Sequence, residues 1–402
     1  MREQVFIGPR SGGWRALGAC AALVMGWAVA TGPAKAAPPR IVDIAAGFTH
    51  TCAVDDTGRA WCWGDGSDGQ LGNGDLGNQT TPARVRRLRD ATNITTGSSH
   101  SCALRANGAA KCWGRNGAGQ LGDGTTTPRA KPVRVTGLRG AKDISAGSSH
   151  TCAVLESGVA TCWGSNWAGQ LGDGTYVRKT QPVQVRNLSD ASRITAGSGH
   201  TCALRATRFT PAYGSLGDVK CWGRNGDGQL GNNSENDSSI PVRVRRLRGA
   251  TQLSAACAVI RNGRVKCWGR NDEGQLGIGR RTFFSRVPVF VKRLRRATQV
   301  ATGYTHSCAV LGNGRVKCWG SNSLGQLGDG TTTDRLTPVF VPGLRGVTKI
   351  SAGPWHTCAL LETGAVKCWG SNYRGKLGNG STYLLSRTPV DVIFPDVRAT
   401  VA

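Results

Sequence analysis

Apolar residues in this chain come in short runs, each fenced by Gly, Asn, Ser or Asp. The clearest are Thr151-Cys152-Ala153-Val154-Leu155 and Val159-Ala160-Thr161-Cys162-Trp163, joined by Glu156-Ser157-Gly158. Runs of this size between turn residues predict β-strands. A three-residue connection with glycine in third place predicts a tight hairpin, because that position takes a left-handed backbone. The same slot holds Gly58, Gly108, Gly263, Gly314 and Gly364. Pro132-Val133-Arg134-Val135 alternates and starts with proline, which suits an edge strand. Ala141–Ala146 leads into the hairpin. One unit thus carries about four short strands.

The unit repeats. Cys-Trp-Gly starts at Cys62, Cys112, Cys162, Cys221, Cys267, Cys318 and Cys368. Gly-Gln-Leu-Gly starts at Gly69, Gly119, Gly169, Gly228, Gly274 and Gly325, with Gly375-Lys376-Leu377-Gly378 as a seventh version. Seven four-stranded units at a period of about fifty residues predict an all-β fold, a seven-bladed β-propeller with about four short antiparallel strands per blade. The hairpin register sets Cys152 opposite Cys162, close enough for a disulfide at a non-hydrogen-bonded pair. The expected cystines are Cys52–Cys62, Cys102–Cys112, Cys152–Cys162, Cys202–Cys221, Cys257–Cys267, Cys308–Cys318 and Cys358–Cys368. Each closes a short loop and contributes roughly 2–3 kcal/mol. Zinc is not expected, because no Cys-x-x-Cys knuckle or histidine pair accompanies the cysteines.

His-Thr-Cys-Ala-Val/Leu, Gly-x-Val-x-Cys-Trp-Gly-x-Asn, Gly-Gln-Leu-Gly-x-Gly and Pro-Val-x-Val together resemble the repeat of the regulator of chromosome condensation, from about Ile41 to Val392. The resemblance implies a seven-bladed propeller. Its relatives include a eukaryotic nuclear exchange factor for a small GTPase and a secreted bacterial β-lactamase inhibitor protein, and this chain resembles the secreted branch. Fold transfers on such a resemblance and function does not.

The chain departs from its own repeat in three places. Copy four has an insertion at the hairpin tip, Ala206 to Gly217, with Phe209 and Tyr213. Copy five lacks four residues: Ser254-Ala255-Ala256-Cys257 stands where others read Ser-Ala-Gly-x-x-His-Thr-Cys. Thr388–Val392 would precede an eighth copy and is expected to pair with Ile41–Ala46, closing the ring and removing an exposed edge.

Residues 1–36 read as a secretory signal peptide: Arg2, Arg10 and Arg15, an apolar run from Ala16 to Ala30, and Ala34-Lys35-Ala36 as the cleavage site. Cys20 opens the apolar run rather than following it, which argues against a lipid anchor. Residues 37–402 form the propeller, with no expected transmembrane segment after cleavage. Fourteen cysteines, an even number, remain after the leader, and the expected location is extracellular or periplasmic. The formal charge of +27 falls to about +24 once the leader's four basic residues and one acidic residue are removed.

Candidate chemistry is sparse. His50, His100, His150, His200, His306 and His356 share one slot of the repeat, so they are read as fold residues holding the preceding turn. Asp123, Asp173 and Asp329 offer too few acidic ligands for a calcium loop. No nucleophile–base pair, paired carboxylates or phosphate loop is present, so neither enzymatic activity nor a cofactor or metal is expected. Residues that break the internal pattern are freer to serve a ligand. In the Ala-Gly-x-x-His turn, Phe48, Tyr304 and Trp355 replace small residues on blades one, six and seven, neighbours in a closed ring. Trp167 and Tyr373 occupy a second variable slot at the same end. These five form the expected binding surface, since aromatics of this kind anchor protein interfaces or stack on sugars. Arg84–Arg89, Arg243–Arg248 and Lys292–Arg296 put arginines outward on outer strands, where they discourage edge pairing and could contact an anionic polymer. The expected molecule is an exported, monomeric propeller scaffold that binds a protein or cell-envelope polysaccharide. An enzyme inhibitor is a special case; an exchange factor fits poorly with a leader and disulfides.

Overall fold

Leu155 N–H donates to Val159 O at 2.8 Å and Gly158 N–H to Leu155 O at 2.8 Å, with Gly158 at φ +87°. That turn puts Cys152 opposite Cys162 and Val154 opposite Ala160. The computed structural model describes residues 38–206 and 217–395. The leader, Phe209 and Tyr213 lie outside the described residues. All seven expected cystines are present, each across one hairpin with Cα atoms 4.0–4.1 Å apart.

The chain forms seven antiparallel four-stranded sheets, each in simple chain order. In blade three the inner strand is Ala141–Ala146, followed by His150–Leu155, Ala160–Gly164 and the outer strand Lys179–Gln184. Pro132 lies in the outer strand of blade two, Arg129–Arg134, as its missing N–H requires. Inner strands of successive blades touch, and the first, Ile41–Ala46, touches the seventh, Val347–Ala352, so the ring is closed.

Closure does not use the expected strand exchange. The last strand, Leu385–Asp391, stays in blade seven, with Val390 opposite Cys368 and Asp391 opposite Lys367. Ile41–Ala46 pairs with His50–Asp55 of its own blade. Each repeat already holds four strands in register, so an outer strand has no vacancy to fill elsewhere. Side chains seal the seam instead: Phe394 sets its ring edge-on to Trp61 and Trp63, at centroid distances of 6.2 and 5.8 Å.

The Cys-Trp-Gly tryptophans are fully buried, each packed between two blades; Trp113 of blade two lies against the Cys52–Cys62 cystine of blade one. Its indole N–H donates to Gln70 O at 2.8 Å. The same carbonyl accepts the Ser101 hydroxyl at 2.9 Å, and that hydroxyl lies 2.7 Å from His50 Nε2. A carbonyl can only accept, so the hydroxyl proton points to it, and the hydroxyl accepts from the imidazole. His50 therefore carries its hydrogen on Nε2. Four further junctions repeat the relay, through His100–Thr151, His150–Thr201, His306–Thr357 and His356–Thr51 at 2.8–2.9 Å. The histidines were expected to hold the turn before them; each joins its own blade to the next, at every junction except that between blades five and six.

Burial pushes the imidazoles far below their ordinary 6.5: His50, His200 and His306 to about 4, His100 and His150 to about 3, and His356 well below. The native state thus favours the neutral rings. Their contribution is complete above pH 6.5 and is lost as pH falls from 6.5 toward 4. Asp143, raised to about 6 mainly by burial, acts with the opposite sign and is a single group.

Two outcomes are expected. Calorimetry with the disulfides intact should show the melting temperature falling between pH 7 and 5, the window that the six histidines cross, with Asp143 opposing them; a flat profile contradicts the relay. Thr151→Val strands the His100 Nε2–H and one lone pair of Gln120 O, and should cost about 1–3 kcal/mol, whereas Thr151→Ser, the residue used at Ser101 and Ser307, should cost much less.

Candidate functional site

The Gly-x-x-His turns that join inner to second strands gather at one mouth of the central channel. Phe48 N–H donates to Gly97 O at 3.2 Å, Ser98 N–H to Ser148 O at 3.4 Å and Ser148 N–H to Gly197 O at 3.3 Å, so turns of successive blades are tied to each other. Their glycines are set by this approach. A Cβ on Gly47, Gly97, Gly147, Gly303 or Gly353 would lie 2.3–2.9 Å from the carbonyl oxygen of the next blade's glycine. The mouth opens into a cavity of about 230 Å³.

The structure places the five sequence-predicted aromatics at this end and brings two into contact. The Phe48 and Trp355 rings meet edge-to-face, with centroids 4.6 Å apart and planes at 70°, and both are half-buried. They occupy different slots: Phe48 and Tyr304 directly follow the glycine and line the cavity, while Trp355 stands one residue later and does not. Tyr304 is 45% exposed; its hydroxyl accepts from Arg270 at 2.7 Å, with the guanidinium 5.1 Å from the ring centroid. Tyr373 is exposed, beside Arg374, which pairs with Asp65 at 2.6 Å. Trp167 is exposed too and lies toward blade four: its ring is 3.4 Å from a Cβ built on Gly199.

Three charged residues here escaped sequence reasoning. Lys376 stands where six copies have glutamine, is 1% exposed, and holds its ammonium 5.2 Å from the Trp355 ring centroid. Burial lowers it to about 8, with Asp65 opposing. Arg270 pairs with Asp272; that hydrogen bond raises its already high value against the burial that lowers it, and the Tyr304 contact adds to the rise. Arg224 pairs with Asp227 at 3.4 Å. Lys376 was recoverable, because departure from the internal consensus is the signal that found the aromatics. Arg270 was not, since Arg115 and Arg224 share its slot and only the fold sets it against Tyr304.

The repeated aspartate slot is structural. Asp123 accepts from Thr125 N–H at 3.0 Å, Thr125 Oγ1 at 2.8 Å and Asn116 Nδ2 at 3.2 Å, and so caps its loop. In the basic segments Val85, Leu88, Val244, Leu247 and Leu294 are buried, while Arg84, Arg86, Arg87, Arg243, Arg245, Arg246 and Arg293 are exposed on the outer rim.

The fold has known counterparts. Human WBSCR16 superposes with a TM-score of 0.74 at 22% identity, over 84% of this chain and 94% of that one. Prp20p of Saccharomyces cerevisiae gives 0.72 at 18% identity, over 85% and 87%. In sequence, the ultraviolet-B receptor UVR8 of Arabidopsis thaliana is 30% identical over 128 residues, 30% of this chain and 29% of the receptor. The E3 ubiquitin-protein ligase HERC2 of Homo sapiens is 31% identical over 128 residues, 3% of that protein. The chain thus matches less than a third of the length of these curated relatives. The regulator of chromosome condensation (RCC1) repeat matches residues 57–104, 107–154, 158–204, 217–259, 262–310 and 313–360. With that repeat spread over most of a closed seven-bladed ring, this chain belongs to the regulator of chromosome condensation (RCC1) repeat family.

Proposed function

We propose that this chain is an exported, non-catalytic propeller that binds a protein partner at the channel mouth, through Phe48, Trp355 and Tyr304 with Tyr373 beside them. The observation that carries this reading is the Phe48–Trp355 pair, two large rings held half-exposed at a junction where other blades carry serine. Their perpendicular packing favours a protein over a polysaccharide. It offers a wedge-shaped apolar anchor of the kind found at interface hot spots, not the open flat platform on which a sugar stacks. Prp20p, a relative in fold, is described for its binding to Gsp1p and histones and has been solved with Kap60, which is compatible with a protein partner here. Export is supported by the leader-like segment and the seven cystines, which persist in oxidising compartments.

The test is capture by the immobilised mature chain from cell-envelope and culture-fluid extracts. The Phe48→Ala, Trp355→Ala, Tyr304→Ala triple variant, with cystines intact, should bind the captured partner at least ~100-fold more weakly, since such anchors contribute about 1–2 kcal/mol or more each. Unchanged affinity removes the reading. Raising salt from about 0.05 to 0.5 M should shift the affinity less than tenfold, because the contact is apolar; a steep loss would assign binding to the arginine rim instead.

A further inference from the structure

We propose that the notch left by the shortened fifth blade receives a turn of the protein partner, in the position a Gly-x-x-His turn holds in the other blades. This rests on the protein-binding reading above.

The space is real. In six blades a Cβ on the Cys-Trp-Gly glycine would meet the Cα of that blade's histidine at 2.8–2.9 Å; on Gly269 of blade five the nearest neighbour is Gln229 Cα at 3.4 Å. The flanking turns are correspondingly open. Gly197 and Gly303 are half-buried, whereas Gly47, Gly97, Gly147 and Gly353 are buried. The carbonyl that approaches the turn glycine elsewhere is absent at Gly197, whose three nearest Cβ neighbours all belong to the His200 ring.

The notch also has hydrogen-bonding groups that the repeat uses elsewhere. Ser307 donates to Gln275 O at 3.0 Å, as its counterparts do, but no imidazole donates to it among the described residues. By the pattern of Phe48 N–H on Gly97 O and Ser148 N–H on Gly197 O, a seated turn would accept from Ser198 N–H and donate to Gly303 O. Ala256 replaces the hydroxyl residue, so His200 Nε2 donates to Ala255 O at 3.3 Å instead. Arg224 with Asp227 and Arg270 with Asp272 flank the opening, two balanced ion pairs that favour a neutral polar ligand over a charged one. The required ligand is a tight peptide turn that presents one backbone acceptor, one backbone donor, and a side-chain N–H to Ser307. Histidine supplies that N–H in this molecule's own turns.

The probe is a disulfide-closed peptide carrying Ala-Gly-Ser-Ser-His-Thr, the sequence of Ala146–Thr151, titrated into the mature disulfide-intact chain by calorimetry. Saturable binding is expected, weakened at least tenfold by His→Ala in the peptide or Ser307→Ala in the protein. It should be abolished by inserting Gly-Ser-Ser-His between Ala255 and Ala256, and also by Ala255→Trp, which fills the notch without lengthening the chain. The aromatic triple variant lacks Tyr304 at the rim, so Phe48→Ala with Trp355→Ala is the control that should keep peptide binding. Either filled variant should also weaken capture of the protein partner. No saturable binding, equal binding to a filled variant, or unchanged partner capture overturns the proposal. If the filled variants lose the partner and the aromatic triple variant does not, the aromatic reading falls and the notch stands.

Discussion

One buried backbone carbonyl per junction holds neighbouring blades together. Gln70 O takes the Trp113 indole and the Ser101 hydroxyl, both from the next blade, while the hydroxyl takes the His50 imidazole. A carbonyl has two lone pairs, and leaving either unpaired in an interior this dry costs as much as a lost hydrogen bond. The acceptor is main chain, so the residue that supplies it can change. Lys376 O serves Trp63 and Thr51 as well as any glutamine does, at 3.0 and 2.9 Å. What glutamine adds is local: Gln70 Oε1 accepts Asp68 N–H at 2.8 Å, which lysine cannot do. In copy seven that loop instead forms a short 3-10 turn at Tyr373–Gly375, with Arg374 at φ +63°.

Two kinds of fastening therefore divide the work. The cystines span ten residues in six blades and nineteen in the fourth, so they restrict the unfolded hairpin and say little about how blades meet. The relay does the opposite: it joins residues about 50 apart and depends on neutral imidazoles. Among the described residues, five of these leave Nδ1 buried without a hydrogen-bond partner. The ring is thus acid-sensitive where the blade is not.

Apart from the copy-four insertion at a hairpin tip, the departures from the repeat discussed above gather at the channel mouth. Blade five keeps its tryptophan bond, Trp268 Nε1 to Gln229 O at 2.9 Å, and its cystine, yet gives up the turn, the histidine and the hydroxyl. Core packing around Trp268 survives because all four strands still pair, although the first two are shortened to Ala250–Ser254 and Cys257–Ile260. The mouth is where a blade can lose or change residues without breaking the ring, and the same end carries Phe48, Tyr304 and Trp355.

Repeat period, hairpin glycine and cysteine spacing were enough to determine the blade, its strands and every cystine. These are local: a three-residue turn fixes register, and register fixes which side chains face each other. The five aromatics could be assigned to one end for the same reason. What crosses between blades was not legible. Thr388–Val392 reads the same whether it pairs with its own blade or the first, and only the closed ring shows it stays home. The histidine slot looked like a turn residue because its partner, the hydroxyl of the following blade, is 51 residues away. The contact of Arg270 with Tyr304 and the opening beside Gly269 depend on two or three blades at once, and no pattern within a single repeat encodes a distance between repeats.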